Sequence, residues 1–159
     1  MAQTILYTCP RFRMFSVGSL VVTECSAAPE LADIDHVEAS YQKAIEASGK
    51  ISAMMVIAAG ESKVDGPTRA RIGEMTKRID GSLACFATVV LVEGHCLMGR
   101  VLRTFILLIN LLARSKAPTK VFGSLAEAAA WIEKLPGQPQ SMRAQLEEAT
   151  AALTLGRVA

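Results

Sequence analysis

Short apolar runs bounded by turn residues alternate along this chain with longer stretches in which apolar residues recur every three or four positions. Near the start, Thr4–Cys9, Arg13–Val17 and Leu20–Cys25 are rich in β-formers, and Pro10-Arg11 and Gly18-Ser19 separate them, so three short strands are predicted. Pro29 then opens a helix over Leu31–Ser48, where Ile34, Val37, Tyr41, Ala44 and Ile45 fall at helical spacing and Gly49 serves as the C-cap. Ile51–Ala59 is a nearly continuous apolar run between Lys50 and Gly60. Lacking a polar face, it reads as a central strand covered on both sides. The loop Gly60–Gly66 leads to Pro67 at the first position of a helix whose buried stripe is Ile72, Met75 and Ile79.

Cys85–Val92 is a second buried strand, ended by Glu93-Gly94, and a long helix is predicted from His95 to Arg114. On that helix, at about 100° per residue, Leu97, Val101, Phe105, Leu108 and Leu112 form one face and Met98, Leu102, Ile106 and Ile109 the next. The apolar arc is about 180° wide, broader than one contact with a sheet requires. Arg100, Arg103, Asn110 and Arg114 take the remaining side, with Leu107 among them. Pro118 stops the pattern and Thr119–Phe122 is a short strand. Ser124 with Glu127 has the spacing of a capping box for a helix through Leu135. Pro136–Pro139 is a linker, and Gln140–Leu155 a last helix with Met142, Leu146, Ala149 and Leu153 on one side.

A strand cluster followed by repeated helix and strand predicts an α/β fold, a mixed central sheet of five to six strands with parallel pairs in its centre and helices around it. The expected domain covers 1–135, and 136–159 supply the linker and an extra C-terminal helix packed on it. The strand order does not follow from the pattern.

Composition narrows the function. Apolar residues make up 51% of the chain and aromatics only 5%, so the core must be aliphatic. Lys and Arg exceed Asp and Glu by only two, and no aromatic residues alternate with basic ones, so a nucleic-acid partner is not expected. The longest apolar run, Phe105–Leu112, is broken by Asn110 and falls far short of the roughly 20 residues of a spanning helix. The first residues lack the pattern of an export signal, and a cytoplasmic setting is expected. Cys9, Cys25, Cys85 and Cys96 form no C-x-x-C pair and only His36 and His95 could join them, so neither a metal site nor a cofactor is expected. Phosphate-binding glycine motifs, nucleophile elbows and paired histidine motifs are absent from the sequence, which leaves no catalytic residue to name and argues against an enzyme. The single pairing weighed, His95 with Cys96 at a helix start, has no third orienting group.

Lys50–Gly60 running into a helix, the strand Thr88–Gly94 (TVVLVEG), and above all Thr119–Leu135 (TKVFGSLAEAAAWIEKL) carry a resemblance. With Phe122, Ser124, Glu127 and Trp131 at their places, this last stretch resembles the close of STAS-like domains, more narrowly the bacterial anti-sigma-factor-antagonist-like proteins of the STAS/SEC14 group. The resemblance covers roughly residues 4–135. It implies a STAS-like single domain and a non-enzymatic role, either regulatory through protein contacts or holding a small apolar or anionic ligand. It also implies a phosphorylatable Ser, preceded by Asp, in the loop after a central strand. Here Ser62 follows Glu61, so the pattern departs from the family at that point.

Ser62 and Thr68 are therefore the candidate phosphorylation sites, next to a helix N-terminus whose free N–H groups favour negative charge. Arg100, Arg103, Leu107 and Arg114 are the candidate ligand or partner contacts, serving a homodimer, a partner protein, or a small lipid-like ligand beneath the long helix. Trp131 is expected to pack into the core rather than anchor a ligand. Because the cysteine spacings form no framework, four reactive thiols should be counted in denaturant without reductant; a titration finding two or fewer in protein purified anaerobically from cytosol would overturn that reading.

Overall fold

The structure, a computed structural model, describes residues 2–58, 64–91 and 114–155. Six strands form one mixed sheet whose spatial order follows the chain: β1 (Thr4–Thr8), β2 (Phe12–Val17), β3 (Leu20–Cys25), β4 (Ile51–Ala58), β5 (Leu83–Leu91) and β6 (Thr119–Phe122). The first three are an antiparallel meander, and β3 to β6 run parallel. Among the described residues four helices flank the sheet: α1 (Leu31–Ser48), α2 (Gly66–Ile79), α3 (Leu125–Lys134) and α4 (Met142–Ala152). This is the α/β single sheet expected from the alternating pattern.

The β3–β4 and β4–β5 crossovers advance the sheet in the same direction, so right-handed connections place their helices on the same side. α1 and α2 accordingly share a first face. Its core joins Ile34, Tyr41 and Ala44 of α1 and Ile72, Met75 and Ile79 of α2 to Met14, Val21, Ile51, Ala53 and Phe86 of the strands. After β6 the chain turns back over the second face, where α3 and α4 cover Phe15, Leu20, Val22, Met54, Val56, Ala87 and Val89. β3, β4 and β5 lack a solvent-facing side because both faces are buried, and the runs in β4 and β5 are nearly all apolar.

Local signals set the element ends. Glu30 and Asp33 form a reciprocal capping box at the start of α1, so the cap stands one residue after Pro29. Gly49, at φ 76°, ends that helix as expected. Asp65 caps α2, its Oδ1 accepting from the Thr68 N–H at 2.7 Å, with Pro67 in the first turn. Ser124 Oγ accepts from the Glu127 N–H at 3.2 Å and caps α3. β5 starts at Leu83, two residues ahead of the apolar run, because Leu83 pairs with Ile51 across a register shift. α4 starts at Met142 and ends at Ala152, shorter at both ends than the apolar pattern suggested.

Buried polar groups fasten the second layer. Gln145 of α4 is 2% exposed, and its Oε1 accepts from the N–H groups of Ser19 and Leu20 at 2.9 and 3.1 Å. Gly18 has φ 58° in that hairpin, and a Cβ there would lie 2.7 Å from the Gln145 Cδ, so glycine is required twice over. Glu24 of β3 takes the far end of the same helix: its Oε1 accepts from the N–H groups of Thr154 and Leu155 at 2.6 and 2.8 Å. Arg13 bridges Glu24 Oε2 at 2.9 Å and the Ala152 carbonyl at 3.1 Å. In the linker, Gln138 Oε1 accepts from Ser52 Oγ at 2.8 Å, which ties 136–139 to the sheet. Trp131 is half-buried, its ring tilted on Phe122 with centroids 5.4 Å apart.

Ion pairs fasten the first layer. Arg11 grips Asp33 with two hydrogen bonds of 2.7 and 2.9 Å, and this guanidinium holds the Asp33 carboxyl below the ordinary range. Glu38 of α1 is buried between Arg71 and Arg78 of α2. Burial opposes its charge, but the two arginines outweigh it and the carboxyl is again held low.

Two outcomes are expected. Gln145→Leu leaves two hairpin N–H groups unmet and should lower stability by about 1–3 kcal/mol in a urea titration, with the helical circular dichroism retained. Asp33 and Glu38 have folded pKa values depressed relative to the unfolded chain. Their stabilisation is therefore complete above the ordinary carboxylate value of about 4 and is lost as pH falls through it toward the folded values. Urea midpoints measured against pH should drop in that window, and Asp33→Asn should flatten the drop; a midpoint independent of pH there would refute the assignment.

Candidate functional site

Open, mainly parallel sheets bind ligands outside the carboxyl ends of their strands. In this sheet that end is where burial gives way. The final positions of β3, β4 and β5 change from buried to half-buried, at Cys25, Ile57, Ala58, Val90 and Leu91. Side-chain alternation assigns Cys25, Ile57 and Val90 to the first face, and the pairing registers place them in one row across the three strands. The row beneath, on the same face, is Thr23, Met55 and Thr88. Met55 is half-buried, whereas Thr23 and Thr88 are 5% and 1% exposed. An apolar rim thus stands over a row that carries two hydroxyls.

α2 brings a third hydroxyl to this end. The helix runs against the strands from Thr68 to Ile79, and Ile79 packs in the cluster that holds Leu83 at the start of β5. Thr68 lies in its first turn and Ile79 ends it, so Thr68 stands toward the carboxyl end of the sheet. Thr68 is 1% exposed. Oγ1 of Thr88 is buried without a hydrogen-bond partner, one of several such buried polar atoms among the described residues, with Thr23 Oγ1 in the same row. The Thr68 hydroxyl, after the Thr68 N–H, also favours the ionised Asp65 carboxylate. The Thr68 N–H is the main cause that holds the Asp65 carboxyl below the ordinary range, so the mouth of the crevice carries a negative charge at neutral pH.

The remaining titratable groups nearby are quiet. Burial pushes the Tyr41 phenol and the Cys25 thiol each up to about 12. Cys25 keeps a partly open surface, yet its apolar surroundings leave it protonated and a poor nucleophile at neutral pH. Cys85 lies on the second face, buried, with its thiol raised by that burial and its Sγ accepting from Gln138 Nε2 at 3.7 Å. His36 is exposed on α1 and stacks on Tyr7 with ring centroids 4.8 Å apart. A bulge makes that contact: Ile5 pairs with Phe15 and Tyr7 with Met14, so Leu6 is extra and both Leu6 and Tyr7 turn to the first face. Among the described residues, no group of three or more His, Cys, Asp or Glu is placed to hold a metal. No helix among them is long and apolar enough to cross a membrane.

Of the residues singled out in the sequence, Ser62, Arg100, Arg103 and Leu107 lie outside the described residues, as do His95, Cys96 and nearly all of the helix proposed for 95–114. Thr68 is in the crevice, but buried. A phosphate there would sit beside the Asp65 carboxylate, on an N-terminus whose Thr68 N–H that carboxylate already takes. Arg114 is exposed in a turn. Its neighbours Ser115 and Lys116 donate to Asp80, which follows the last turn of α2. Thr68 begins that helix, so the two positions are about 18 Å apart along its axis, at opposite ends of the sheet. Periodicity could not show this separation. The pattern-based reading also passed over Thr23 and Thr88, each a lone hydroxyl inside an apolar run, and that interruption was the available signal.

Comparison with protein-family profiles, with curated proteins and with solved structures finds no match for the chain.

Proposed function

We propose that this chain is a non-enzymatic binding domain that takes a small, largely apolar ligand into the crevice at the carboxyl ends of β3, β4 and β5. The observation that carries the proposal is the half-buried row Cys25, Ile57 and Val90 over a row with buried hydroxyls, at the end of a parallel sheet. The side chains that could do acid–base chemistry support a non-enzymatic role by their engagements. Glu24, Asp33 and Glu38 are each buried and held by arginine in scaffold contacts. The STAS-like resemblance agrees with a domain that binds rather than reacts, and the contact of Phe122 with Trp131 supports it.

A second reading, regulation through a partner protein or a second copy of the chain, is favoured by β1. This edge strand carries no charge, and its Ile5 is 50% exposed on the second face, beyond the cover of α4. Uncharged edges invite strand pairing.

Native mass spectrometry after incubation with dodecanol tests the first reading. One dodecanol per chain is expected, and Ile57→Arg, at a half-buried rim position, should abolish uptake while leaving the fold intact. A wild-type protein that takes up none would overturn the ligand reading. Light scattering at micromolar concentration tests the second: a dimer converted to monomer by Ile5→Lys supports it, and a monomeric wild type excludes self-association through this edge.

A further inference from the structure

We infer that α4 is an exchangeable element: the segment 138–155 can leave its own chain and fill the same seat on a second copy, with Gly137 as the hinge. The inference stands apart from the ligand reading, because this seat lies on the second face of the sheet. α4 is bonded to the β2–β3 hairpin along its whole length. Gln145 Oε1 accepts from the N–H groups of Ser19 and Leu20, the Ala152 carbonyl accepts from Arg13, and Glu24 accepts from the N–H groups of Thr154 and Leu155. The bonded residues are 125 to 139 positions apart in sequence. Beneath the helix, Leu146 and Ala149 share one core with Phe15, Leu20 and Val22. The hairpin thus forms the seat without help from the sequence neighbours of α4, and any copy of α4 that reaches it makes the same bonds. An empty seat would strand the buried N–H of Leu20 and its neighbour Ser19, so it selects an α4 over a generic apolar helix.

The connection decides which copy supplies the helix. α3 ends at Lys134 and α4 starts at Met142, so 135–141 must carry the chain round to the seat. Proline keeps the residue before it out of the helical region, and Leu135, at φ −69° and ψ 140°, is extended ahead of Pro136. The same rule acts on Gln138 ahead of Pro139. The bend falls to Gly137, whose φ of 81° is left-handed. A Cβ built there meets nothing within 4 Å, so backbone conformation and not space requires the glycine. With residue 137 extended, the connection carries α4 away from its own hairpin and toward a second copy. Gln138 travels with the helix and remakes its bonds to Ser52 and Cys85 on that copy. A symmetric exchange leaves no seat empty. Closed and exchanged forms therefore carry the same seat bonds, and the balance between them rests on the turn and on concentration. A short link gives each chain's own helix an effective concentration on the order of millimolar, so wild type at micromolar concentration is the closed monomer.

Gly137→Val tests the hinge. A left-handed backbone at a residue with a Cβ disfavours each closed chain by about tenfold. An exchanged dimer relieves two such turns, so its dissociation constant should tighten about a hundredfold, to the order of 10 µM. Size-exclusion chromatography with light scattering should show that dimer, and Ile5→Lys should leave it unchanged, which separates exchange from pairing at the β1 edge. Gly137→Asn, which tolerates the left-handed region, should stay monomeric like wild type. Adding Gln145→Leu to Gly137→Val should leave the dissociation constant as it was, because both forms lose the same bonds. It should nevertheless speed the mixing of isotope-labelled and unlabelled chains about tenfold in native mass spectrometry, because those bonds break whenever a helix leaves its seat. A Gly137→Val protein that stays monomeric, or that fails to fold, overturns the inference, since an exchanged helix needs no turn at 137. So does an equally strong dimer in Gly137→Asn, or mixing that Gln145→Leu does not speed.

Discussion

Strands β3, β4 and β5 are buried on both faces, and the described helices answer the need to cover them twice. The crossovers provide the first cover at no extra length, because any connection between parallel neighbours must pass over one face. The second cover has to come from chain beyond β6, and a helix pair packed only by aliphatic contacts could slide along a smooth sheet. Gln145 removes that freedom at one end of α4 by bonding the turn between β2 and β3, and Glu24 removes it at the other. Both acceptors are buried, so a shifted helix would leave several N–H groups unmet. Such polar bonds contribute specificity of position more than net energy.

The same demand explains why one end of the sheet is more open than the other. Near the amino ends of β4 and β5 the cover is complete: Ile51, Ala53, Leu83 and Phe86 are buried beneath α2 and α1, and Gln138 closes over Ser52 and Cys85 on the other side. At the carboxyl ends α2 has only begun and its first turn is occupied by its own cap. The last side chain of β3 and the last two of β4 and β5 are half-buried there.

Much of this was legible in the order of residues, for reasons that are local. α1, β3 and β6 occupy the predicted spans because caps, turns and periodicity act over a few neighbours: Gly49 can adopt a left-handed backbone, and Gly18-Ser19 can close a two-residue hairpin. The α/β class followed from the alternation of those elements. What could not be read was relative placement. The spatial strand order, the side of the sheet taken by α4, and the separation of Thr68 from Arg114 all depend on which surfaces meet. The bulge at Leu6 is of the same kind, because it appears only when β1 is set against Phe15 and Met14. The candidate site suffered most, since its residues come from β3, β4, β5 and α2 and share no sequence neighbourhood. A lone threonine in an apolar strand looks like ordinary β-propensity until its hydroxyl is found without a partner.

The identity of one capping residue has consequences beyond the helix it starts. Serine, threonine, asparagine and glycine can all begin a helix, and each would leave the N-terminus of α2 with its positive end toward the crevice. Aspartate caps equally well but adds a full negative charge, here held ionised by the N–H it accepts. The local stability of α2 and the electrostatics of the crevice are thus set by the same side chain. A cap chosen for helix stability alone would be indifferent to that charge. Asp65 thus sets a negative charge at this end of the sheet where a serine or asparagine cap would have left the positive end of the helix, and it does so without any strand residue having to change.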